Sequence, residues 1–401
     1  MRYRLAIVLL VVASAASAKD NFVKDALAQI QMGEPIYGPH GIIVPLHGPA
    51  STDDLGVVPG VGAKGVAFEE PSFPAHMFNV RVVNETGNRI LVLGGTVLVG
   101  GKRDRLIRRD AIIAANATDC ELRALPAATD RRKTAEPFVV SDTLAPYYLR
   151  KKADFGGNNS LVPNFVGRWL DLRDEGDTRK SLAALSESKK LREFSLPASK
   201  LLSKLPNAPL GREYRGAIAI VRGRVQTLGL FGNNELLKAH FESALRGAMY
   251  SSAAVTLHAK DLKFKVPGGG EEAAQVADAK EKAKKLLADL QRAAYRNDPF
   301  GKGHDGENLL VRHSNGTRGQ AVGLNGRLVH LAVYPVDPFQ SALYEKRLDV
   351  PEGEMPEPGE EVAEDDGDLT ADESEYLRRT RRRRRAHAGA GRPRGGGGGR
   401  R

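Results

Sequence analysis

The sequence predicts an α+β fold: an antiparallel, hairpin-rich sheet core with two helices of the C-terminal half packed on it, followed by a disordered tail. One hairpin pattern occurs twice, as GAIAIVRGRVQTLGLF over 216–231 and as GQAVGLNGRLVHLAVY over 319–334. Two stretches between the copies carry apolar residues at helical spacing. Residues 351–401 consist largely of charged residues, Pro and Gly, which cannot offset the entropy of ordering.

The two hairpin copies align over sixteen residues without a gap, 103 positions apart. Each consists of an apolar strand, a two-residue turn, an Arg, a second apolar strand and a closing aromatic residue. The turns are Arg222-Gly223 and Asn325-Gly326. Both suit a type I′ turn, because glycine adopts a positive φ at no steric cost. His330 of the second copy replaces Thr227 of the first, and it is the one difference between the copies that suggests chemistry.

The N-terminus resembles a secretory leader. Arg2 and Arg4 precede the apolar run Leu5–Ala13, and Ala16-Ser17-Ala18 form a small-residue cleavage site. The run is too short to span a bilayer as an anchor, and no later run approaches its length. We therefore expect residues 1–18 to be a signal peptide and the protein to be exported to the periplasm, the cell surface or the medium. An uncleaved anchor is the alternative.

The C-terminal tail divides into two halves of opposite charge. Residues 351–377 contain twelve acidic and no basic residues, whereas residues 378–401 contain eleven arginines and no acidic residue. The Arg-rich half is typical of segments that contact polyanions by charge alone, unless the acidic half neutralises it in cis. Residues 19–350 remain for the folded part. We expect one α+β domain there, with two smaller domains as the alternative.

The charge of the chain favours anionic partners. The formal net charge is +11, of which about +10 lies on the body between leader and tail. Nucleotides, nucleic acids and acidic surface polymers are partners of this kind, and a plain solvated basic surface is the alternative. Cys120 is the only cysteine, which excludes an internal disulfide and a Cys-rich zinc site. No cofactor is expected.

The remaining elements follow in chain order. Apolar spacing predicts a helix over 20–32 and a strand over 41–46. Strands are expected between 78 and 101 and again between 106 and 125. A basic, loop-rich stretch follows over 131–205, of which only 179–205 is expected to be helical in part. The first helix between the hairpins runs from Asn233 or Asn234 to about Ala254. After the linker 268–270, the second runs over about 271–296.

A formal G-x-G-x-x-G at 60–65 is not a dinucleotide-binding fingerprint. That motif requires a helix to begin at its end, so that backbone N–H groups meet the pyrophosphate. Glu70-Pro71-Ser72-Phe73-Pro74 follow here and cannot form that helix. A Gly-rich turn is the better interpretation.

The first candidate for a ligand site is the turn Gly100-Gly101-Lys102-Arg103-Asp104-Arg105. Guanidinium groups bind phosphate or carboxylate through paired hydrogen bonds, and glycines let an anion approach the backbone. Asp104 could orient an Arg or act as a base. The alternative is a structural network of Arg–Asp salt bridges at the end of a strand.

Further candidates lie outside this turn. Glu69, or its neighbour Glu70, could supply a carboxylate for acid–base chemistry. If its strand alternates, His330 points away from the face of Leu331, into solvent or a cleft. The alternative is a structural histidine whose hydrogen bonds are satisfied within the protein. His304 and His313 fit no standard metal spacing, so no metal site is expected. No nucleophile motif or paired-carboxylate motif is visible.

A series of local patterns resembles the domain family named for its association with ADP-ribosylglycohydrolases and rhodanese-phosphatases. GIIVPL at 41–46 resembles its opening strand and 65–69 its short strand ending in Glu. NETGNRILVLGGTVLVGGKRDR at 84–105 resembles its asparagine turn and Gly-Gly-x-Gln-Asp-Arg motif. Residues 216–254 resemble its strand–turn–strand–helix unit, and 323–334 its final hairpin with a His. The resemblance covers about 37–335.

Two departures from the family pattern bear on function. Arg103 stands at the Gln of the motif, and the Cys-Val-Glu and Arg-Trp that follow the next strand in the family are missing around 123–132. The resemblance implies a link to NAD-derived and ADP-ribose metabolism, with no settled reaction.

Two functions follow from the sequence. The first is a non-catalytic binding domain with a basic surface for an anionic ligand or polyanion. The second is a nucleotide- or ADP-ribose-handling domain, either binding or hydrolytic, built around 100–105. The nucleotide- or ADP-ribose-handling function would be favoured if one pocket brought together Glu69, Arg103, Asp104, Arg105 and His330.

Overall fold

The structure is a computed structural model that describes residues 21–38, 41–50, 55–71, 78–129, 132–155, 166, 176, 178–189, 191, 207–221, 223–258, 272–299 and 301–336. The predicted leader, the tail, the linker 268–270, Arg222 and much of 156–206 lie outside the described residues. Of the described helices, none is long and apolar enough to cross a membrane.

Helices and strands alternate irregularly along the chain, as the α+β class predicts. The helices are α1 (Phe22–Ala28), α2 (Tyr147–Phe155), α3 (Ala183–Glu187), α4 (Asn234–His258) and α5 (Glu272–Gln291). The strands before α2 are β1 (Gln31–Met32), β2 (Ile36–Gly38), β3 (Gly41–Pro49), β4 (Val57–Pro59), β5 (Val66–Glu69), β6 (Asn79–Asn84), β7 (Arg89–Val92), β8 (Thr96–Gly101), β9 (Arg105–Ile107), β10 (Ala111–Ile113), β11 (Cys120–Pro126) and β12 (Glu136–Leu144). The later strands are β13 (Arg212–Val221), β14 (Arg224–Phe231), β15 (Ala294–Asn297), β16 (His304–Asp305), β17 (Glu307–Arg312), β18 (Arg318–Leu324) and β19 (Arg327–Tyr334).

The strands form three sheets. The largest has the order β1-β3-β13-β14-β19-β18-β17-β15, with β2 also paired to β3. A second sheet has the order β16-β10-β7-β4 and a third the order β12-β8-β9-β11-β6-β5. Nearly all of the two smaller sheets comes from the chain between β3 and β13. This chain is therefore an insertion between two strands that are neighbours in the large sheet.

The two copies of the hairpin pattern lie side by side at the centre of the large sheet. Strands β14 and β19 pair antiparallel, with Leu228 opposite Val333, Gly229 opposite Ala332 and Leu230 opposite Leu331. In the repeat alignment Gly229 is equivalent to Ala332, and Leu228 is equivalent to Leu331. The register thus relates the two hairpins by a pseudo-two-fold axis through the Gly229–Ala332 pair.

Each copy also contains a β-bulge at the same position. In the first hairpin the pairing shifts so that Gln226 is the extra residue, and in the second the extra residue is Val329. These two positions are equivalent in the repeat. A bulge changes the direction in which the following side chains point. His330 directly follows the bulge residue Val329 in β19, so the bulge affects its direction.

The turn of the second hairpin has the predicted conformation. Asn325 and Gly326 have φ angles of 53° and 73°, so both central residues are left-handed, as a type I′ turn requires. In the first hairpin Gly223 has a φ of 68°, and Arg222 lies outside the described residues.

Helices cover both faces of the large sheet. On one face, α1 and α5 bury apolar residues against β3, β13, β14 and β19. On the other face, Leu245 and Met249 of α4 contact Ile43 and Ala217. The smaller sheets pack on this second face as well, through Leu91 and Ile112 among others. Both predicted C-terminal-half helices therefore pack on the sheet core, as expected, but on opposite faces.

Several boundaries differ from the sequence prediction. The first helix ends at Ala28 and β1 follows, because the chain pairs with β3 there instead of continuing the helical spacing. The last helix ends at Gln291, and β15 replaces its predicted final turn. The start of α4 is confirmed, since Asn233 Oδ1 accepts a hydrogen bond from Leu236 N at 2.9 Å. Helix α4 ends at His258, about one turn beyond the predicted end near Ala254.

The stretch 131–205 contains regular structure that the sequence did not reveal. Strand β12 and helix α2 both lie within it. The residues of β12 alternate weakly between buried and exposed, because this strand lies at the edge of its sheet. The formal G-x-G-x-x-G at 60–65 lies between β4 and β5, so a strand follows it and not a helix, as predicted.

A glycine in the first position of each hairpin copy permits close strand pairing. A Cβ on Gly216 would lie 2.0 Å from the carbonyl oxygen of Gly229. A Cβ on the equivalent Gly319 would lie 2.6 Å from that of Ala332. A Cβ on Gly229, by contrast, would meet no atom within 4 Å.

We therefore expect Gly216→Ala to lower the free energy of unfolding by about 1–3 kcal/mol, because the new methyl group overlaps a backbone carbonyl that cannot move aside. Gly229→Ala, on the facing strand, serves as the matched control and should change stability by less than about 1 kcal/mol. Urea denaturation followed by circular dichroism measures both. Equal losses for the two variants would contradict the close-approach explanation.

Candidate functional site

The turn from Gly100 to Arg105 is held by hydrogen bonds within the protein. Asp104 is fully buried, and its Oδ1 accepts bonds from Gly100 N and from the Arg132 guanidinium, both at 2.8 Å. The Ser181 hydroxyl donates to its other oxygen. All of the contacts described for this carboxylate thus come from the protein itself, which matches the salt-bridge-network interpretation of the turn.

The two glycines of the turn make room for neighbouring protein groups. A Cβ on Gly100 would lie 2.3 Å from the carbonyl oxygen of Pro137. One on Gly101 would lie 2.4 Å from a carboxylate oxygen of Glu70 and 2.5 Å from the ring of Phe138. The space beside the glycines is therefore occupied by protein atoms.

Glu70, and not Glu69, reaches this turn. Its carboxylate accepts a hydrogen bond from Lys102 N at 3.1 Å and contacts the Arg105 guanidinium at 3.3 Å. Glu69 lies 3.6 Å from the Arg81 guanidinium. Lys102 is exposed and Arg103 is half-buried.

His330 lies elsewhere, in a buried pair with Asp110. Its Nδ1 is 2.6 Å from Asp110 Oδ2, and its side chain is 3% exposed. It points away from the apolar face of Leu331, as alternation predicts, but into the protein and not into solvent. Because an ionised carboxylate can only accept a hydrogen bond, Nδ1 of His330 is the donor in this pair.

Asp110 connects three parts of the fold. Its Oδ1 accepts a hydrogen bond from Gly94 N at 2.7 Å, in the turn between β7 and β8. Its own N–H donates to Gln320 Oε1 of β18 at 3.1 Å. Together with His330 of β19, these contacts tie the inserted sheets to the large sheet.

An aromatic residue separates His330 from a second buried histidine. The ring of Phe231 lies 4.4 Å from that of His330 and 6.0 Å from that of His240, measured between centroids. Within the described residues, His240 Nε2 makes no hydrogen bond. Burial, assisted by the nearby His330, lowers the pKa of His240 to about 4, so this ring is neutral at physiological pH.

Helix α2 brings a buried cation and a buried carboxylate to the same region. The Arg150 guanidinium lies 5.3 Å from the centre of the Tyr334 ring. Asp154, one turn later on α2, is 1% exposed. Its Oδ1 accepts a bond from Arg109 Nε at 2.5 Å, and its Oδ2 has no partner in the described part of the chain. Burial raises the pKa of Asp154 to about 7, although Arg109 opposes this shift.

Three arginines meet beside Asp110; we call them the arginine cluster (Arg108, Arg109 and Arg123). Arg109 bridges Asp154 and Asp298. Arg108 donates to the Asp154 carbonyl at 3.3 Å, and its backbone N–H donates to the Arg123 carbonyl at 2.9 Å. Burial, and after it the charge of Arg109, lowers the pKa of Arg108.

Arg109 and Arg123 of the arginine cluster line a cavity of about 620 Å³ between β10, β11 and the chain that follows β15. Most of its lining residues have polar side chains. The lining residues are Asn79, Arg109, Asp110, Ala111, Asp119, Glu121, Leu122, Arg123, Asp298, Pro299, Gly301, Lys302, His304 and Asn308.

The lining carboxylates are occupied by protein partners. Asp298 contacts Arg109, Asp110 contacts His330, and Asp119 lies 3.0 Å from Lys302. Glu121 accepts a bond from Asn79 at 2.7 Å. Among the described residues, Arg123 has no carboxylate partner. Arg123 is thus a cation of the wall without a carboxylate partner in the described part of the chain, although four carboxylates line the same cavity.

A buried amide adds an unfilled hydrogen-bonding position to this wall. Asn308 is 2% exposed, and its Oδ1 has no partner within the described residues. A buried acceptor without a donor costs about 1–3 kcal/mol, so a ligand that donates a hydrogen bond there would recover this loss. His304, on the same wall, contacts the Glu121 carbonyl through Nε2 at 2.9 Å.

The predicted site residues thus divide between two places at opposite ends of β9. Gly100 to Arg105 and the two glutamates surround the start of this strand, whereas His330 contacts Asp110 beyond its end. This separation removes the basis for a hydrolytic site built on 100–105. The arginine cluster was missed, although Arg108 and Arg109 stand in the basic run 102–109 of the sequence. Arg123 and Asn308 have no distinguishing pattern in the sequence around them.

The buried carboxylate of Asp154 predicts a pH dependence of stability. Its pKa is higher in the folded than in the unfolded state, so the folded state binds more protons between the two values. This contribution to the free energy of unfolding is present at low pH and is lost as the pH rises from about 4 to 7. We expect Asp154→Asn to flatten that slope in urea denaturation. Asp142→Asn, which changes an exposed carboxylate, is the control; equal slopes for wild type and Asp154→Asn would contradict the assignment.

Comparison with known proteins identifies a family. The model of the ARG and Rhodanese-Phosphatase-superfamily-associated Protein domain, ARPP-1, matches residues 29–334. This range extends from the end of α1 to the end of β19 and includes both hairpins, the arginine cluster and the buried Asp110–His330 pair. Neither the search of curated proteins nor the search of solved structures found a match. Because the match covers about three quarters of the chain, the protein belongs to the ARPP-1 domain family.

Proposed function

We propose that this protein is a binding domain for a small anionic ligand, which it holds in the cavity beside the arginine cluster. The observation that carries this proposal is Arg123, which lines the cavity beside Arg109 and has no carboxylate partner among the described residues. A guanidinium group on the wall that lacks a carboxylate partner can bind a phosphate or carboxylate through paired hydrogen bonds. This site replaces the turn at 100–105 as the location of the anionic partner that the net charge predicts.

The ligand class follows from the size and chemistry of the wall. A cavity of about 620 Å³ is within the usual range of small-molecule sites, about 300–1,000 Å³. The arginines favour a phosphate or carboxylate, and the unfilled acceptor of Asn308 favours a hydroxyl or amino group on the same ligand. Nucleotides and ADP-ribose combine both features. The resemblance that links the family to ADP-ribose metabolism supports nucleotides and ADP-ribose as the ligand class.

Export of the protein remains a prediction from the leader at residues 1–18.

Arg123→Gln tests the proposal, because it removes the unpaired cation without touching the buried pairs. We expect it to weaken the binding of ADP-ribose about tenfold, which corresponds to about 1.4 kcal/mol. Isothermal titration calorimetry at low ionic strength measures the dissociation constant. Lys284→Gln is the matched control, since it removes one positive charge from α5 on the far side of the large sheet and should leave affinity unchanged.

Two results would overturn this assignment. One is the absence of any heat or thermal shift for ADP-ribose, NAD and nucleotides at millimolar concentration. The other is an equal loss of affinity in the Arg123 and Lys284 variants, which would indicate attraction by net charge alone.

A hydrolytic function is the second candidate, and one observation favours it. Asp110 both lines the cavity and orients His330. A carboxylate that holds a histidine in one tautomer is the usual arrangement of a general base that activates water. Against this role, His330 is almost fully buried.

If the pair is catalytic, wild-type protein should convert ADP-ribose or NAD to products detectable by chromatography, and His330→Gln should lower the rate at least about a hundredfold. Circular dichroism of the variant confirms folding. Wild-type protein that binds the ligand but forms no product would leave the non-catalytic function as the description of this domain.

A further inference from the structure

Arg109 lines the cavity and is shared between two carboxylates. Its Nε donates a hydrogen bond to Asp154 Oδ1 at 2.5 Å, and another nitrogen of the same guanidinium contacts Asp298. The Arg109 side chain is 25% exposed and reaches the cavity. When both carboxylates are ionised, one positive charge serves two negative charges, so little of it remains to attract an anionic ligand.

The rest of the cavity wall does not supply the missing positive charge. The described lining residues include four carboxylates and only three cations. The carboxylates are those of Asp110, Asp119, Glu121 and Asp298, and the cations are those of Arg109, Arg123 and Lys302. Lys302 is already paired with Asp119 at 3.0 Å. The binding of an anion beside Arg109 is therefore favoured if a nearby carboxylate loses its charge.

Asp154 is the carboxylate best placed to lose its charge. Its side chain is 1% exposed, whereas that of Asp298 is 34% exposed and is solvated by water. Asp154 Oδ2 accepts no hydrogen bond from the described residues. A buried ionised oxygen without a donor costs more free energy than the same oxygen with a proton attached. The two carboxylate partners of Arg109 therefore differ in how readily they take up a proton.

Several charged and titratable groups surround Asp154. Arg108 and Arg109 each donate a hydrogen bond to its backbone carbonyl at 3.3 Å. The others, among the described residues of the elements around α2, are Asp110 before β10, Asp298 after β15, Tyr334 of β19, Tyr250 of α4, and Arg150 and Lys151 of α2 itself. Burial raises the pKa of Asp154 to about 7; Asp110 acts in the same direction, whereas Arg109 and Arg108 act against it.

We propose that Asp154 takes up a proton when an anionic ligand binds beside Arg109, so that the protein binds the ligand and the proton together. The proton comes from the solvent and adds to the Asp154 carboxylate. Arg109 then keeps Asp298 as its one ionised partner and directs its charge to the phosphate or carboxylate of the ligand. Asp154 is a positioning residue in this scheme, because it acts on the ligand through Arg109. The inference rests on the proposed binding function and adds a proton to it.

Proton uptake makes the affinity for the ligand depend on pH in one direction. The negative charge of the ligand raises the pKa of Asp154 above its value in the free protein, which is about 7. Below that value the carboxyl group is already neutral, and the affinity is highest. Above the pKa in the complex the carboxylate is ionised in both states, and the affinity is lowest. A rise of about one pKa unit corresponds to a loss of affinity of about tenfold across this range.

Isothermal titration calorimetry of the full-length protein with ADP-ribose tests the proton uptake. Titrations at about pH 7.5 in HEPES and in Tris, whose ionisation enthalpies differ, give the number of protons bound with the ligand. We expect about half a proton at this pH, and a dissociation constant that increases about tenfold between about pH 6 and about pH 9. Binding without proton uptake, at a dissociation constant that does not change with pH, would overturn this inference and leave the proposed binding function intact.

Two variants separate the roles of the two carboxylates. Asp154→Asn has no carboxylate to protonate, so it should bind ADP-ribose with the affinity that wild type has at low pH, and this affinity should not change with pH. Asp298→Asn is the matched control, because it removes the other carboxylate partner of Arg109; it should tighten binding but retain the proton uptake. Proton uptake that persists in Asp154→Asn would assign the proton to another group, such as His304 on the same wall, and would overturn the proposal.

A measurement on the free protein makes the test independent of the ligand. The carboxyl-carbon NMR signal of Asp154, identified by its absence from the spectrum of Asp154→Asn, follows the ionisation of this group directly. We expect a midpoint at about pH 7 and a higher midpoint in the presence of ADP-ribose. An Asp154 that stays ionised from about pH 5 to about pH 9 would overturn the inference whether or not the ligand binds. A midpoint at about pH 7 in a protein that binds no ADP-ribose, NAD or nucleotide would refute the proposed function and the coupling with it.

Discussion

The buried carboxylate of Asp110 is the constraint on which the rest of the structure depends. A carboxylate with no exposure to water must be matched by donors, because an unmatched buried charge costs several kcal/mol. Its donors come from the β7–β8 turn and from β19, and its backbone contacts β18. The observed placement of the inserted sheets against the large sheet provides all of these contacts. The contacts of Asp110 therefore make the placement of the inserted sheets on the large sheet more specific than apolar packing alone would.

The same constraint explains why cations accumulate beside the cavity. Arg108 and Arg109 directly precede Asp110 in the chain, so their backbone is held wherever Asp110 is held. Arg109 is further fixed between Asp154 and Asp298. Side chains held in this way lose little freedom when an anion arrives, and ordering costs are a large part of what weakens binding. The positions of Arg108 and Arg109 are stable despite their mutual repulsion, because both side chains are also held by contacts with Asp154 and Arg109 by a contact with Asp298.

Much of the fold could be predicted from local patterns. The hairpin repeat, the two amphipathic helices and the Asn233 cap depend on neighbouring residues, and the structure contains them. Helix α2 and strand β12 could not be predicted, because their burial is set by distant elements and their own spacing is weak. The site shows the same limit more strongly. Gly100 to Arg105 has the composition of an anion site, yet the Asp104 carboxylate, the Lys102 N–H and one Arg105 nitrogen contact Arg132, Ser181 and Glu70, which are remote in sequence. Arg123 and Asn308 gain their significance only from what faces them across the cavity.

The insertion between β3 and β13 has a consequence for the order in which this chain folds. These strands pair along most of their length, yet roughly 160 residues separate them, whereas α5 to β19 is contiguous. Closing a long loop costs entropy before any contact offsets it, and proteins with such distant contacts fold slowly. The C-terminal half of the pseudo-two-fold sheet is therefore positioned to form early. The N-terminal half, which carries the long loop, would add to it once β14 reaches β19.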